Sequence, residues 1–176
     1  CTALAGFFDK VLVDAPCSGE GMFRKDAKAV EEWSLAHTQA CAQRQLSILL
    51  SAAQAVREGG ILVYSTCTFA PEENEGVVAK FLQQQPGFVL EDTGVTFGRP
   101  ADPRYGEGRE ELRKARRIYP MDGGEGHFVA KLRRWEANPA YPSLFEESKI
   151  KRDSQLLELW DSVCSGKPYG IPMRLQ

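Results

Sequence analysis

The chain has 176 residues, of which 43% are hydrophobic and 26% charged, and its formal net charge is −2. This composition is typical of a globular protein long enough to bury one core, and no segment approaches the roughly 20 apolar residues of a membrane span. The first residues lack a signal-peptide pattern, and five scattered cysteines without a Cys-x-x-Cys pair favour a reduced, cytoplasmic protein without a metal site.

The first half of the chain predicts two buried strands joined by a helix. Phe8–Val13 is apolar and β-branched and predicts a strand that ends at Asp14. Apolar residues at three- and four-residue steps predict a helix over about 38–57, with Gly59-Gly60 as its stop. Ile61–Tyr64 predicts the second strand.

The second half predicts one more helix and two short strands. Pro71 followed by two glutamates is typical of a first helical turn, where proline fits and acids favour the helix dipole. Residues 88–91 and 127–132 predict strands, separated by a polar connection. Residues 136–150 predict a linker, and 151–176 predict a helix that opens a further C-terminal region.

The alternation of strands and helices over residues 1–135 predicts an α/β fold. Successive strands joined by a helix lie parallel with a right-handed crossover. Ligands of such sheets bind at the carboxyl ends of the strands. We therefore expect the functional residues to follow strand ends.

The polar connection and the last strand carry a local positive charge. Between Arg99 and Arg134 there are ten arginines and lysines against six acids, an excess of four positive charges. Such a region can steer an RNA backbone, but charge runs are more often solvated faces. Charge alone does not predict an RNA-binding surface.

Two cysteines follow the ends of the two predicted neighbouring strands. Because those strands end at the same edge of the sheet, Cys17, Cys67 and Asp14 are expected to share one crevice. The helix predicted near Pro71 would lower the pKa of the Cys67 thiol. Gly19 and Gly21 allow backbone to approach a ligand closely. One such cysteine is usually a buried apolar residue, but two with an acid indicate a functional site.

The same residues resemble a known family. Asp14-Ala-Pro-Cys-Ser-Gly-Glu-Gly21 and Tyr64-Ser-Thr-Cys-Thr68, followed by Pro71-Glu-Glu-Asn-Glu75, resemble the paired cysteine motifs of the Nop/Sun RNA cytosine-5 methyltransferases. Gly21–Asp26 and Gly124–Lys131 are similar to the bacterial branch that modifies small-subunit (16S) ribosomal RNA. The resemblance implies a Rossmann-like, S-adenosylmethionine-dependent domain, mostly parallel with a final antiparallel strand.

The resemblance also implies a role for each site residue. Cys67 matches the nucleophile that adds to carbon 6 of cytosine and activates carbon 5 for methylation. Cys17 matches the cysteine that assists proton loss and product release, and Asp14 matches a position in the cofactor and base pocket. The target base must leave its stack, so a single-stranded or loop RNA is expected.

The family's glycine-rich cofactor loop and ribose-binding acid are expected upstream of the region that this sequence matches. We therefore interpret the chain as the C-terminal half of a catalytic domain. In isolation it is expected to be inactive and to associate through the apolar edge of Lys10–Val13.

Three alternatives remain from the sequence. A degenerate fragment could bind RNA without catalysing a reaction. A thiol redox protein is disfavoured because 50 residues separate Cys17 from Cys67. DNA cytosine-5 methyltransferases carry the nucleophile in a Pro-Cys motif, whereas Thr66-Cys67 favours RNA. The chain's two histidines, His37 and His127, are interpreted as structural or exposed residues.

Overall fold

A computed structural model describes residues 4–135, and the predicted linker and C-terminal helix lie outside these residues. Three helices flank or connect the strands of one sheet: α1 (Ala27–Glu32), α2 (Leu35–Ala53) and α3 (Glu75–Gln84). The strands are β1 (Phe8–Asp14), β2 (Val56–Thr66), β3 (Phe88–Glu91), β4 (Arg99–Pro100), β5 (Arg116–Ile118) and β6 (His127–Arg134). Short 3-10 turns occupy Glu20–Met22, Pro103–Tyr105, Glu110–Lys114 and Pro120–Asp122.

The sheet has the order β1-β2-β6-β5-β4, and β3 also pairs with β6. β1 and β2 are parallel, with Asp14 opposite Ser65 at their carboxyl ends. β6 runs antiparallel to β2, β3 and β5, so these three strands share one direction. The expected α/β sheet, mostly parallel in direction with a final antiparallel strand, is confirmed.

The boundary between α2 and β2 differs from the prediction. α2 ends at Ala53, and Val56 already belongs to β2. Gly59 and Gly60 lie inside the strand beside a register shift in its pairing with β1. A Cβ at Gly60 would lie 2.9 Å from the Arg57 carbonyl oxygen, so this glycine permits a close backbone approach instead of stopping the helix.

The start of α3 was also predicted wrongly. Residues 71–74 form a turn, closed by hydrogen bonds from the amides of Asn74 and Gly76 to the Pro71 carbonyl oxygen. The helix itself begins at Glu75. Glu73, which the sequence analysis assigned to the first helical turn, is fully buried next to the cysteine loops.

The polar connection after β3 contains more structure than its sequence suggested. β4 and β5 form a short antiparallel pair that extends the sheet beyond β6. The six-residue helix α1 was likewise not predicted, and Asp26 caps it by accepting a hydrogen bond from the amide of Lys28. Such short elements show too little periodicity to be recognised in sequence.

The apolar core lies where α2 and α3 pack on the sheet. β6 alternates in burial as predicted, with Phe128, Ala130 and Leu132 facing the core. The largest fully buried apolar side chains are Tyr64, Phe81, Phe128, Leu49, Leu62, Leu112 and Leu132. Within residues 4–135, no helix combines the length and apolarity needed to cross a membrane.

Most positive charges of the Arg99–Arg134 stretch are paired within the chain. Arg117 is buried in an ion pair with Glu75, and Glu91 accepts bonds from both Lys131 and Arg133. Further pairs join Arg99 to Asp122, Arg104 to Asp102, Arg109 to Glu111 and Arg113 to Glu110. The local positive excess is therefore no indicator of a basic RNA-binding face.

Removing one partner of the buried Arg117–Glu75 pair is expected to be strongly destabilising. Arg117→Met removes the partner of a carboxylate that is 0% exposed, so we expect unfolding free energy to fall by about 3–5 kcal/mol. Arg113→Met breaks an exposed pair and should cost less than about 1 kcal/mol. Urea denaturation of both variants checks this, and equal losses would contradict it.

Candidate active site

The two predicted cysteines meet at the carboxyl ends of β1 and β2. The sulfur atoms of Cys17 and Cys67 lie 3.2 Å apart, although 50 residues separate them. The expectation that both thiols share one crevice is confirmed by this distance. The crevice has a volume of about 450 Å³, and its lining includes Asp14, Cys17, Lys28, His37, Cys67 and His127.

The contact between the thiols makes their proton affinities unequal. A hydrogen bond from Cys17 lowers the pKa of Cys67 to about 7, against the opposing effect of burial. The same hydrogen bond, together with burial, raises the pKa of Cys17. Near pH 7 about half of the Cys67 thiols are therefore ionised, and the negative charge on Cys67 is supported by the protonated Cys17.

The lowered pKa of Cys67 was expected from its sequence position, but for the wrong reason. α3 begins only at Glu75, so Cys67 does not lie at a helix N-terminus. The largest cause of the shift is the thiol of Cys17, which lies in the loop after the neighbouring strand β1. Sequence analysis placed both cysteines in one crevice without predicting a direct hydrogen bond.

Asp14 stands at the rim of the crevice, directly after the last buried residue of β1. Its carboxylate accepts a hydrogen bond of 2.8 Å from the hydroxyl of Ser65 on β2. Its negative charge acts to raise the pKa of Cys67. Asp14 is exposed, so its carboxylate is available to a molecule in the crevice.

Gly21 brings the two cysteine loops into backbone contact. Its amide donates to the Cys67 carbonyl oxygen at 2.9 Å. A Cβ at this position would lie 2.8 Å from that oxygen and 2.6 Å from the carbonyl oxygen of Gly126. Gly21 thus allows close approach of the protein's own backbone, whereas the sequence analysis expected it to approach a ligand.

A carboxylate ties the same two loops together beside Gly21. Glu20 accepts hydrogen bonds from the Phe69 amide at 2.9 Å and from the Thr68 hydroxyl at 3.2 Å. Its other oxygen accepts from the Trp33 indole. These bonds fix the backbone that follows Cys67.

Sequence analysis missed a group of buried polar side chains beneath the crevice. Glu73, Asn74 and Gln45 are each 0% exposed and hydrogen bond to residues that flank the two cysteines. Glu73 and Asn74 belong to the motif that carried the family resemblance, which is the one sequence signal that pointed to them. Gln45 lies within an otherwise ordinary helical pattern.

Both histidines are exposed, and both line the crevice. His37 lies in the first turn of α2, where its amide donates to the capping hydroxyl of Ser34, and His127 begins β6. In the described part of the chain, no three side chains among His, Cys, Asp and Glu are grouped as metal ligands.

Comparisons with known proteins agree with this arrangement of motifs. The chain is 42% identical over 144 residues to ribosomal RNA small subunit methyltransferase F of Erwinia tasmaniensis, covering 80% of this chain and 28% of the relative. It is 40% identical over 131 residues to a tRNA (cytosine(49)-C(5))-methyltransferase of Pyrococcus abyssi, covering 72% and 42%. The chain therefore spans less than half the length of these relatives.

Solved structures show the same fold. The crystal structure of NSun6 from Pyrococcus horikoshii with SFG is 39% identical, with a TM-score of 0.60 over 73% of this chain and 30% of that one. A methyltransferase homologue from the same organism is 35% identical, with a TM-score of 0.57 over 72% and 39%. Residues 2–133 match the family described as 16S rRNA methyltransferase RsmB/F. With three quarters of its length and both cysteine motifs inside that match, the chain belongs to the RsmB/F family.

Proposed function

We propose that this chain provides the nucleophilic half of an RNA cytosine-5 methyltransferase that acts on small-subunit ribosomal RNA in the cytoplasm. The observation that carries the proposal is the 3.2 Å contact that lowers the pKa of Cys67 in an open crevice. A thiolate at neutral pH is what addition to a cytosine ring requires.

Cys67 is the proposed nucleophile. Carbon 5 of cytosine is a weak nucleophile until a sulfur adds to carbon 6, which pushes electron density onto carbon 5. The carbon–sulfur bond forms as the C5–C6 π bond breaks, and the electron pair of that bond passes to an enamine-like system of carbon 5, carbon 4 and N3. Carbon 5 then uses this pair to bond the methyl group. With a pKa of about 7, roughly half of Cys67 is ionised near neutral pH.

Cys17 is the proposed partner in product release. Once Cys67 is bonded to carbon 6, its sulfur carries no negative charge, so the main reason for the raised pKa of Cys17 disappears. Cys17 can then lose its proton to water in the crevice. Its thiolate takes the proton from carbon 5, the C5–C6 double bond re-forms, and Cys67 leaves as a thiolate.

Asp14 is proposed to accept hydrogen bonds from the methyl donor and the target base. S-adenosylmethionine supplies the methyl group when bound, and a related structure contains its analogue SFG. The exposed carboxylate of Asp14, fixed by Ser65, can accept hydrogen bonds from hydroxyl or amino groups of a bound molecule. The glycine-rich loop and the ribose-binding acid that complete cofactor binding in this family are expected upstream of the matched region.

Ribosomal RNA is the preferred substrate because the matching family is described as 16S rRNA methyltransferases. The tRNA methyltransferase relative has a similar identity, so tRNA is the competing substrate. Because most positive charges of the Arg99–Arg134 stretch are paired internally, we do not assign RNA binding to that stretch. Methylation of 30S-derived RNA compared with tRNA transcripts distinguishes the two.

Replacing the nucleophile is the first test. In the complete product of the gene that encodes this chain, Cys67→Ala should abolish both methylation and any covalent adduct with RNA. Cys41→Ala, which removes a buried thiol of α2, is the matched control and should retain activity. Near-normal turnover by Cys67→Ala, measured as methyl transfer from labelled donor, would refute the assignment.

Replacing the second cysteine separates the two roles. Cys17→Ala retains the nucleophile but lacks the base for carbon 5, so the RNA should remain attached after methyl transfer. On a denaturing gel with labelled RNA, this variant should show a persistent protein–RNA band that Cys67→Ala lacks. Full activity of Cys17→Ala without such a band would show that Cys17 has only a structural role.

The pH dependence of alkylation tests the electrostatics of the pair. Reaction of Cys67 with iodoacetamide should rise with pH and reach half its maximum at about pH 7. Cys17→Ala removes the donor, so the profile should move to higher pH, whereas Cys17→Ser retains a hydroxyl donor and should move it less. Peptide mapping by mass spectrometry resolves each cysteine, and an unchanged profile in Cys17→Ala would contradict the stated cause.

A further inference from the structure

Three consecutive polar residues, Glu73, Asn74 and Glu75, lie where the turn before α3 meets the helix, and each is 0% exposed. Burying polar groups is unfavourable unless they are hydrogen bonded. Glu75 pairs with Arg117. The partners of Glu73 and Asn74 lie instead in the two cysteine loops.

The side chain of Asn74 holds both neighbours of Cys67. Its Oδ1 accepts from the Thr66 hydroxyl at 2.6 Å, and its Nδ2 donates to the Thr68 carbonyl oxygen at 2.9 Å. Asn74 occupies the N-cap position of α3, where asparagine is preferred, yet its side chain makes no capping hydrogen bond. The amide is thus used on the nucleophile loop and not on the helix.

The carboxylate of Glu73 holds the loop of Cys17 in the same way. One oxygen accepts from the Ser18 amide at 3.0 Å and from Gln45 Nε2 at 2.6 Å. Gln45 Nε2 also donates to the Pro16 carbonyl oxygen at 2.9 Å, so both neighbours of Cys17 are fixed. The hydroxyl of Tyr64, on β2, donates to the Glu73 carbonyl oxygen at 2.6 Å.

Glu73 also carries a cost that stability alone does not explain. Its second carboxylate oxygen is buried without a hydrogen-bond partner among the described residues. A buried unsatisfied acceptor is destabilising, and such groups recur where function requires a defined geometry. The position of Glu73 between two functional loops fits that pattern.

We propose that Glu73 and Asn74 are positioning residues that together set the separation of the Cys17 and Cys67 sulfur atoms. One residue holds each loop, and a single peptide bond joins the two residues. The loops therefore cannot move apart without breaking buried hydrogen bonds on one side. The effect of this role on catalysis rests on the proposed function. The separation of the two sulfur atoms can be tested by the reactivity of the thiols alone.

The expected sensitivity is high because thiol contacts are short-ranged. A displacement of reacting groups by about 1 Å typically costs on the order of 100-fold in rate. If the thiols of Cys17 and Cys67 are held farther apart, the hydrogen bond that lowers the pKa of Cys67 is also lost. Two measurable properties of the folded chain therefore report on the positioning, with no RNA or methyl donor present.

The first measurement is thiol–disulfide exchange with oxidised glutathione. Cys67 attacks one glutathione sulfur and releases one glutathione thiolate; the Cys17 thiolate then attacks Cys67, releases the second and closes the protein disulfide. The equilibrium constant measures how closely the thiols are held. Glu73→Met, which removes the acceptor oxygens at similar side-chain length, and Thr66→Val should each lower it by at least about ten-fold.

Each variant has a matched control. Glu72→Met makes the same change one residue earlier, where the side chain lies outside the hydrogen bonds to the cysteine loops. Thr38→Val removes an equally buried hydroxyl, which donates to the Ser34 carbonyl oxygen within α2. Both controls should keep the exchange constant within about two-fold of the unmodified chain, well inside the loss expected from misplacement.

The second measurement, the pH dependence of Cys67 alkylation, separates positioning from simple charge. The negative charge of Glu73 acts to raise the pKa of Cys67, so losing only that charge would move the profile to lower pH. Losing the Cys17 hydrogen bond moves it to higher pH. We expect Glu73→Met, which also loses the hydrogen bonds, to shift the profile upward, and Thr66→Val, which changes no charge, to do the same.

Circular dichroism and thermal unfolding establish which variants are folded. Should Glu73→Met not fold, Thr66→Val decides alone, because it removes one hydroxyl and leaves the carboxylate network intact. A folded variant with an unchanged exchange constant and an unchanged or lowered alkylation profile overturns the positioning role. Since neither readout uses methyl transfer, failure of the proposed function would leave these results unaffected.

Discussion

The need to satisfy buried polar groups at residues 73–75 is the constraint on which the rest of the site depends. An apolar turn at this point would leave the loops after β1 and β2 without the buried hydrogen bonds that flank both cysteines. The buried carboxylates and amide instead require partners, and they find them on four separate elements. Networks of this kind specify a single arrangement because each missing bond leaves a buried group unpaired.

The consequence for chemistry is that two identical side chains acquire different properties. At 3.2 Å the titrations of Cys17 and Cys67 are coupled, and when the pair loses one proton the environment decides which sulfur keeps the other. Cys17 is the more buried of the two and stays protonated, while Cys67 receives its hydrogen bond. The proposed division into nucleophile and later base follows from this asymmetry. The asymmetry in proton affinity is lost once the sulfur of Cys67, bonded to carbon 6, is a neutral thioether.

Sequence alone predicted strands β1, β2, β3 and β6, the two long helices and the shared crevice of the cysteines, because these depend on apolar periodicity and strand order. It failed where side-chain demands override local preference. Gly59-Gly60 are typical of a helix stop, yet the backbone passes within contact distance of β1 and needs them inside the strand. Glu73 is typical of a first helical turn, yet it is buried in the network beneath Cys17. Gln45 gave no signal, since a polar residue on a helix is ordinarily exposed.

The thiol site is also self-contained within the described chain. Residues between Pro16 and Asn74 make the hydrogen bonds that position Cys17 and Cys67. Arg117 pairs with the adjoining Glu75. Asp14, which is proposed to contact the methyl donor and the target base, lies outside this hydrogen-bond network. The reactivity of the nucleophile can therefore be separated experimentally from the affinity for methyl donor and RNA. An inactive preparation with a normal thiol pair would locate the defect in substrate binding and not in the proposed chemistry.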